Sequence, residues 1–400
     1  MLTPALESSP EVMTQLEKLP VHAVMLTNFV APHKLHMYME LAKRLDKFTM
    51  LLSTPMEPNR RWATDWGNLD VRMLRTSTFR ARYRHPVGFA DPYYVHIPWN
   101  TIGVLKELRP DVILAIELGA RSALSVLYKK FVKSTPLVLY GGLSEHTEKG
   151  RGFVRRGLRR WLVKNADSFA ANGESGCRYL QRMGACPERT QRIHYPTLPG
   201  VFDKIPLDRN TDHVRRLLYV GRMIERKGIL PFTEALVRWA SRNPNQAVEF
   251  TLAGYGNQQE ILESLPCPDN LTIKVLGECK YDRIAQCYAA SDVFVFPTLG
   301  DDWGMVVNEA MLAGLPVLGS TYSQAVDEMC VHGETGWPFQ TDDTAGMERA
   351  IDEALNTPPE KLRKMRFAAR ARVEGMTPQL AAEEWMNAIR LALQHAERKS

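Results

Sequence analysis

Residues 292–318 leave the chain little choice of local fold. Asp292-Val293-Phe294-Val295-Phe296-Pro297 is a β-branched and aromatic run, residues 305–311 have helical spacing, Gly314 stops them, and Pro316-Val317-Leu318 begins another apolar run. The order is strand, loop, helix, strand, which requires a parallel sheet covered by helices. Two carboxylates bracket the turn: Asp301 in the loop and Glu309 inside the helix. Between them Trp303, Gly304, Met305 and Val306 open the helix, where the first backbone amides have no intrahelical acceptor. Such a turn holds a phosphate through N–H groups and the helix dipole. Acids on both sides of it are placed to grip hydroxyls of a sugar and a ribose, so a phosphorylated sugar donor fits.

The same rhythm runs through both halves. In the first, apolar strands are expected at 21–26, 48–52, 111–116, 137–140 and 168–171, with helices at 34–45, 96–108, 120–133 and 153–164. Residues 54–93 are rich in Arg, Pro and aromatics without clear periodicity and read as a long loop over the sheet edge. Residues 198–209 are polar and aperiodic, a linker; strands then resume at 216–220, 248–252, 271–276, 293–296 and 316–318. The expected fold class is α/β: two doubly wound, Rossmann-like domains, 1–207 and 208–376, facing a central cleft. A helix over 377–400 is expected to cross back onto the first domain. Ligands bind such folds outside the carboxyl ends of the strands.

Four hundred residues exceed what one hydrophobic core usually supports. A net charge of +6 permits an anionic ligand or membrane surface. Nucleic acid is not expected, because the basic residues do not alternate with stacking aromatics in a recognisable module. Six cysteines scattered without C-x-x-C spacing argue for small buried hydrophobes in a reducing compartment, not for zinc or disulfides. Residues 1–19 contain Glu7, Glu11 and Glu17 and lack the apolar core of a signal peptide. A cytoplasmic protein, soluble or peripheral on the membrane's inner face, is expected.

A second constellation is Gly221-Arg222-Met223-Ile224-Glu225-Arg226-Lys227-Gly228 at a strand end. Arg222 offers a bidentate fork to a pyrophosphate and Lys227 a compact charge, and neutralising a nucleoside diphosphate is the main electrostatic task of sugar transfer. A solvated basic loop is the bland alternative, which the acidic motif later in the same domain makes less economical. Gly254-Tyr255-Gly256 is a third strand end, suited to close backbone approach or simply to a tight packing turn.

In this order, Gly221-Arg222…Lys227-Gly228, Gly254-Tyr255-Gly256, Leu276-Gly277 and the acidic motif resemble retaining glycosyltransferases of family 4 with the GT-B fold. The resemblance is specific over about 215–340 and looser before it. It implies that the first acid, here Asp301 where the family has Glu, holds hydroxyls of the transferred sugar. It further implies that Glu309 binds the donor ribose, that Arg222 and Lys227 bind the pyrophosphate, and that neither metal nor other cofactor is used beyond the nucleotide diphosphate sugar. The adjacent pair Asp301-Asp302 is not a D-x-D metal motif.

The first half departs further from that family. The loop 27–33 lacks the usual glycines, placing Asn28 on the acceptor side, and Glu117 stands where relatives often have a His. Glu117 is expected either to act at the reaction centre or to cap the following helix. Glu145, His146 and Glu148 share a loop suited to acceptor recognition or proton handling, His146 being the catalytic candidate. In 151–164, Val154, Leu158, Trp161 and Leu162 fall on one helical face and Arg155, Arg156, Arg159, Arg160 and Lys164 on the other. That basic face is expected to be solvated, to dock on anionic lipid, or to hold acceptor phosphates. Taken together, the chain is expected to move a sugar to a saccharide or lipid-linked acceptor in cell-envelope or polysaccharide synthesis. A nucleotide-sugar epimerase of the same fold and a non-catalytic membrane scaffold are the alternatives.

Overall fold

The computed structural model describes residues 18–58, 60, 64–197, 200–209 and 213–399. The segment read as lacking a signal peptide thus lies almost wholly outside the described residues, as do 198 and 199 of the linker. Among the described residues no helix is long and apolar enough to cross a membrane.

Two parallel sheets organise the chain. The first has seven strands in the order Asp70–Met73, Leu45–Leu52, Leu19–Thr27, Val112–Ile116, Leu137–Gly141, Ser168–Ala171 and Thr190–Arg192. The second has six: Leu271–Gly277, Val248–Ala253, Arg216–Val220, Val293–Phe296, Val317–Ser320 and Gly336–Phe339. Central strands such as Val112–Ile116 and Val293–Phe296 are buried at every position. Helices cover both faces, so such strands read as unbroken apolar runs, without alternation. Each sheet has one core cluster on either face. Strand order reverses between Leu19–Thr27 and Val112–Ile116 in one sheet, and between Arg216–Val220 and Val293–Phe296 in the other. Those switch points open the crevices where ligands bind.

The expected loop over 54–93 is corrected. Asp70–Met73 is the edge strand of the first sheet, and Thr76–Arg84 pairs antiparallel with Ala90–Pro98 in a hairpin. Along Thr76–Arg84 no residue is fully buried, so the strand has no apolar stripe to betray it. Its partner carries Pro92 and Pro98, which a two-stranded ribbon tolerates because one edge of each strand needs no partner. The helix expected over 96–108 accordingly begins only at Thr101.

The last helix, Pro378–Glu397, is capped by Thr377, whose side chain accepts from the Leu380 amide at 3.2 Å. It packs on the first sheet rather than the second. Ala381, Trp385, Ile389 and Ala392 join that sheet's core, and the Ser168 hydroxyl donates to the Ala388 carbonyl at 2.7 Å.

Candidate active site

On the second sheet, backbone packing shapes the crevice. The Gly221 amide donates to the Ala253 carbonyl at 2.9 Å and the Met223 amide to that of Tyr255 at 2.8 Å, interlocking two strand-end loops. A Cβ on Gly254 would lie 1.8 Å from the Gly221 carbonyl oxygen, at a φ of +148°. The G-x-G turn therefore works as a loop-on-loop joint. Gly304, with φ +110°, turns the chain into the helix Met305–Leu312. Trp303 is buried behind it and donates to Asn308 Oδ1 at 2.8 Å, fixing the turn against the helix it starts. Met305 and Val306 follow as the first turn, part-exposed.

Asp301 is ion-paired with Lys227 across this crevice. Burial pushes the Asp301 carboxyl up, but Lys227 and Arg226 outweigh it and hold the group down at about 2. Burial lowers Lys227, with Asp301 opposing. Asp302 behaves oppositely. Burial raises it to about 6, although the Thr147 hydroxyl donates to it at 2.6 Å. Its backbone carbonyl accepts from Asn172 at 2.6 Å and from Gln324 at 2.8 Å. Asp302 thus ties the two domains together, while Asp301 keeps a full charge at neutral pH. Glu309 is held apart from both. Burial raises it to about 7, the Tyr288 hydroxyl 3.2 Å away works against that, and it faces a small separate cavity beside His33.

On the first sheet, side chains do the shaping. Arg121 is buried and ion-pairs with Glu117 at 2.6 Å while also donating to Asn28 and Ser53. Asn28 donates in turn to Glu117 at 3.0 Å. Glu117 holds a left-handed φ of +71°, unusual for a side chain with a Cβ, at the end of a fully buried strand. It is therefore neither a helix cap nor a loose carboxylate, but an oriented one half-exposed in the cleft.

His146 does not line the cleft. Its Nε2 lies 2.8 Å from the Leu299 carbonyl, its ring stacks on Tyr322 at 3.9 Å, and His85 flanks it at 4.7 Å. Burial lowers its pKa to about 4, so at neutral pH the uncharged ring serves as a clamp between domains. Glu145 is engaged by Arg178 and Arg182 and also stays out of the cleft. Glu148 lines the cleft, bound by Arg159 and more loosely by Arg155 at 3.5 Å.

The expectation for helix Phe153–Lys164 is corrected at both faces. Arg159 is buried against Glu148 and the Tyr179 hydroxyl, and Arg155 turns into the cleft, so neither is a solvent-facing charge. Phe153 and Val154 are 79% and 71% exposed, with Leu158 also in solvent beside Arg156, Arg160 and Lys164. The neighbouring Glu148 draws the stripe inward: a buried Arg requires a carboxylate.

Between the sheets lies a cleft of about 410 Å³. Arg222, Arg226 and Asp302 wall one side, and Asn28, Glu117 and Arg155 the other, with the hairpin's Tyr83 and Tyr93 above. Asp301 and Lys227 do not themselves line it, although their neighbours Gly300, Asp302 and Arg226 do. Sequence reasoning missed Arg121, Arg151 and the hairpin. Arg121 was signalled only by its four-residue spacing from Glu117; the hairpin carried no signal.

Residues 214–357 match the family model described as "Glycosyl transferases group 1". Among curated proteins, glycogen synthase of Mycobacterium tuberculosis is 30% identical over 297 residues, covering 68% of this chain and 66% of that protein. Phosphatidyl-myo-inositol mannosyltransferase of Mycolicibacterium smegmatis is 26% identical over 246 residues, 60% of this chain and 57% of that one. The chain thus spans just under two thirds of the length of the glycogen synthase it matches. Among solved structures, lipopolysaccharide outer core galactosyltransferase WaaB superposes with a TM-score of 0.67 at 13% identity, over 92% of this chain and 99% of that one. Anabaena HepE, solved in complex with UDP and glucose, gives 0.61 at 16% identity, over 95% and 99%. The likeness in architecture is to GT-B glycosyltransferases along nearly the whole chain. The second domain, with its acidic turn, basic strand end and interlocked glycine loops, is the part of the chain similar to the glycosyl transferases group 1 family.

Proposed function

We propose that the chain is a retaining, metal-independent glycosyltransferase of family 4, moving a sugar from a nucleotide diphosphate sugar to a saccharide or lipid-linked acceptor in cell-envelope or polysaccharide synthesis. One observation carries this reading: Asp301, held at about 2 by Lys227 and Arg226, is paired with Lys227, which Arg222 also approaches, after the strand Val293–Phe296 of the second sheet. Without ligand the two charges neutralise each other. A donor diphosphate draws Lys227 and Arg222 to its oxygens and frees Asp301 to accept hydrogen bonds from the sugar. The first-turn amides at 304–306 add donors to the phosphate. Glu309, kept near neutrality in its own pocket, takes the ribose side.

In the reaction, the bond from the sugar's anomeric carbon to the phosphate oxygen breaks and an acceptor oxygen bonds to the same face of that carbon. The acceptor proton passes to the departing diphosphate, whose growing charge Arg222 and Lys227 balance. Glu117, oriented by Asn28 and Arg121, faces the acceptor. His146 positions the loop carrying Thr147 and Glu148. Named relatives that transfer sugars support the reading. Exposed Phe153, Val154 and Leu158 beside Arg156, Arg160 and Lys164 support a peripheral location on anionic lipid, apolar side chains entering the interface under a basic rim.

The test is a thermal-shift panel of UDP-, GDP-, ADP- and dTDP-sugars, repeated with Arg222→Ala, followed by product analysis with and without acceptor. One nucleotide should raise the melting temperature of the parent chain and not of the variant. Stabilisation by none of them would favour the scaffold reading. Altered free donor sugar without acceptor would identify an epimerase.

A further inference from the structure

Arg151, Arg155 and Arg159 stand four residues apart, one stripe leading into the helix Phe153–Lys164 and facing the cleft. The charge of Arg159 is taken up by Glu148. Arg155 reaches the same carboxylate only at 3.5 Å and keeps 37% of its side chain exposed. Among the described residues no carboxylate pairs with Arg151, whose guanidinium lies over the Tyr83 ring at 3.6 Å, with Tyr93 at 5.6 Å. Stacking fixes the plane of that group and leaves its N–H edge for a ligand. The Nε atoms of Arg151 and Arg155 are both buried without an acceptor. Burial, then Arg159, then Arg151 depress the pKa of Arg155, as expected where cations crowd without enough anions.

Arg222 and Arg226 line the same cleft from the second domain. The cleft thus holds two basic groups on opposite walls, and the donor diphosphate uses one. Resting on the transferase reading above, we propose that Arg151 and Arg155 recognise a phosphate group on the acceptor. A phosphate carries up to two negative charges and three free oxygens, which suits two guanidinium groups on one wall better than a single charge would. The hairpin that brings Tyr83 and Tyr93 is then the acceptor-specificity element. The phosphate belongs either to a soluble phosphorylated acceptor or to a lipid headgroup.

The experiment titrates inorganic phosphate, then glycerol 3-phosphate, calorimetrically into the full chain saturated with the nucleoside diphosphate that the panel identifies. Arg151→Met and Arg155→Met are compared with the parent chain. A second binding event is expected in the parent, weakened about tenfold or more in each variant, with nucleotide affinity unchanged. Phosphate that only competes with the nucleotide, or binds both variants as well as the parent, would overturn the proposal. If Arg155→Met fails to fold for want of its Glu148 contact, Arg151→Met, which breaks no ion pair, decides alone. Flotation on phosphatidylglycerol against phosphatidylcholine vesicles separates the two sources: a headgroup site loses vesicle binding in Arg151→Met, and a soluble-acceptor site does not. If no nucleotide binds, the transferase reading fails first, and titration without nucleotide still reports on the arginine pair.

Discussion

Gly221 and Asn28 stand at the same place in their two sheets, one residue past the strand where the strand order reverses. Gly221 lets its carbonyl come within 1.8 Å of where a Cβ on Gly254 would sit, so the loop is locked by backbone against backbone. Asn28 instead joins a side-chain network with Glu117 and Arg121. The same contrast extends outward. At the cleft edge of the second sheet Asp301 pairs with Lys227, and Arg222 and Arg226 line the cleft from the same loop. Around the first, Glu148 is shared by two arginines and a separate hairpin leans over the site. A backbone lock admits few residue types, while a side-chain network can be rebuilt many ways. Under the proposed transfer, a diphosphate common to many donors suits the first solution, and a particular acceptor suits the second.

The largest effect is expected at the network. Glu148→Ala strands Arg159, 3% exposed, without a counter-charge, and should cost about 3–5 kcal/mol in denaturant unfolding. A loss below about 1 kcal/mol would mean the first domain's edge does not depend on this pair. Gly254→Ala attacks the backbone lock and should cost about 2–4 kcal/mol, with donor affinity falling alongside stability. Unchanged stability would erase the contrast between the two edges. Asp301→Asn keeps the shape of the pair and removes its charge; turnover at a temperature where the variant stays folded should drop about 100-fold or more, with a separate loss of stability from leaving Lys227 without its counter-charge. Full turnover would remove Asp301 from the reaction.

A smaller effect separates the carboxylates by pH. Glu309 has a folded value of about 7, raised from 4.5, so it favours the folded state most at low pH and that contribution is lost as pH rises from about 4.5 through 7. Stability followed across that window should decline less steeply in Glu309→Gln than in the parent. Parallel curves would show that Glu309 is not buried as described. The smallest effect is at the exposed basic rim of the helix Phe153–Lys164. Arg160→Ala should weaken binding to phosphatidylglycerol vesicles by about 1 kcal/mol and leave donor binding alone, measured by flotation.

The legible parts of the chain share one cause. Val112–Ile116 and Val293–Phe296 are buried on both faces, and burial of that kind leaves an apolar run that names the strand. Gly304 needs a positive φ, and Trp303 with Asn308 fixes the turn locally, so the loop that presents Asp301 was readable within ten residues. The strand Thr76–Arg84 has no buried face, so its sequence gives no pattern that separates it from a loop. The helix Phe153–Lys164 is legible as a helix, but not which of its faces is buried. Its periodicity is real, but a carboxylate preceding it in the chain decided which arginines turn inward.

By itself, then, the sequence determined the two parallel sheets, the acidic turn and the basic strand end, because each follows from burial, backbone geometry or spacing over a few residues. Only the tertiary structure decided that Asp301 is held low while burial raises Asp302 and Glu309, that His146 clamps rather than faces the cleft, and that Arg151 and Arg155 line it. Charge states and side-chain direction depend on which groups from distant segments share one desolvated space, and local pattern carries no record of that.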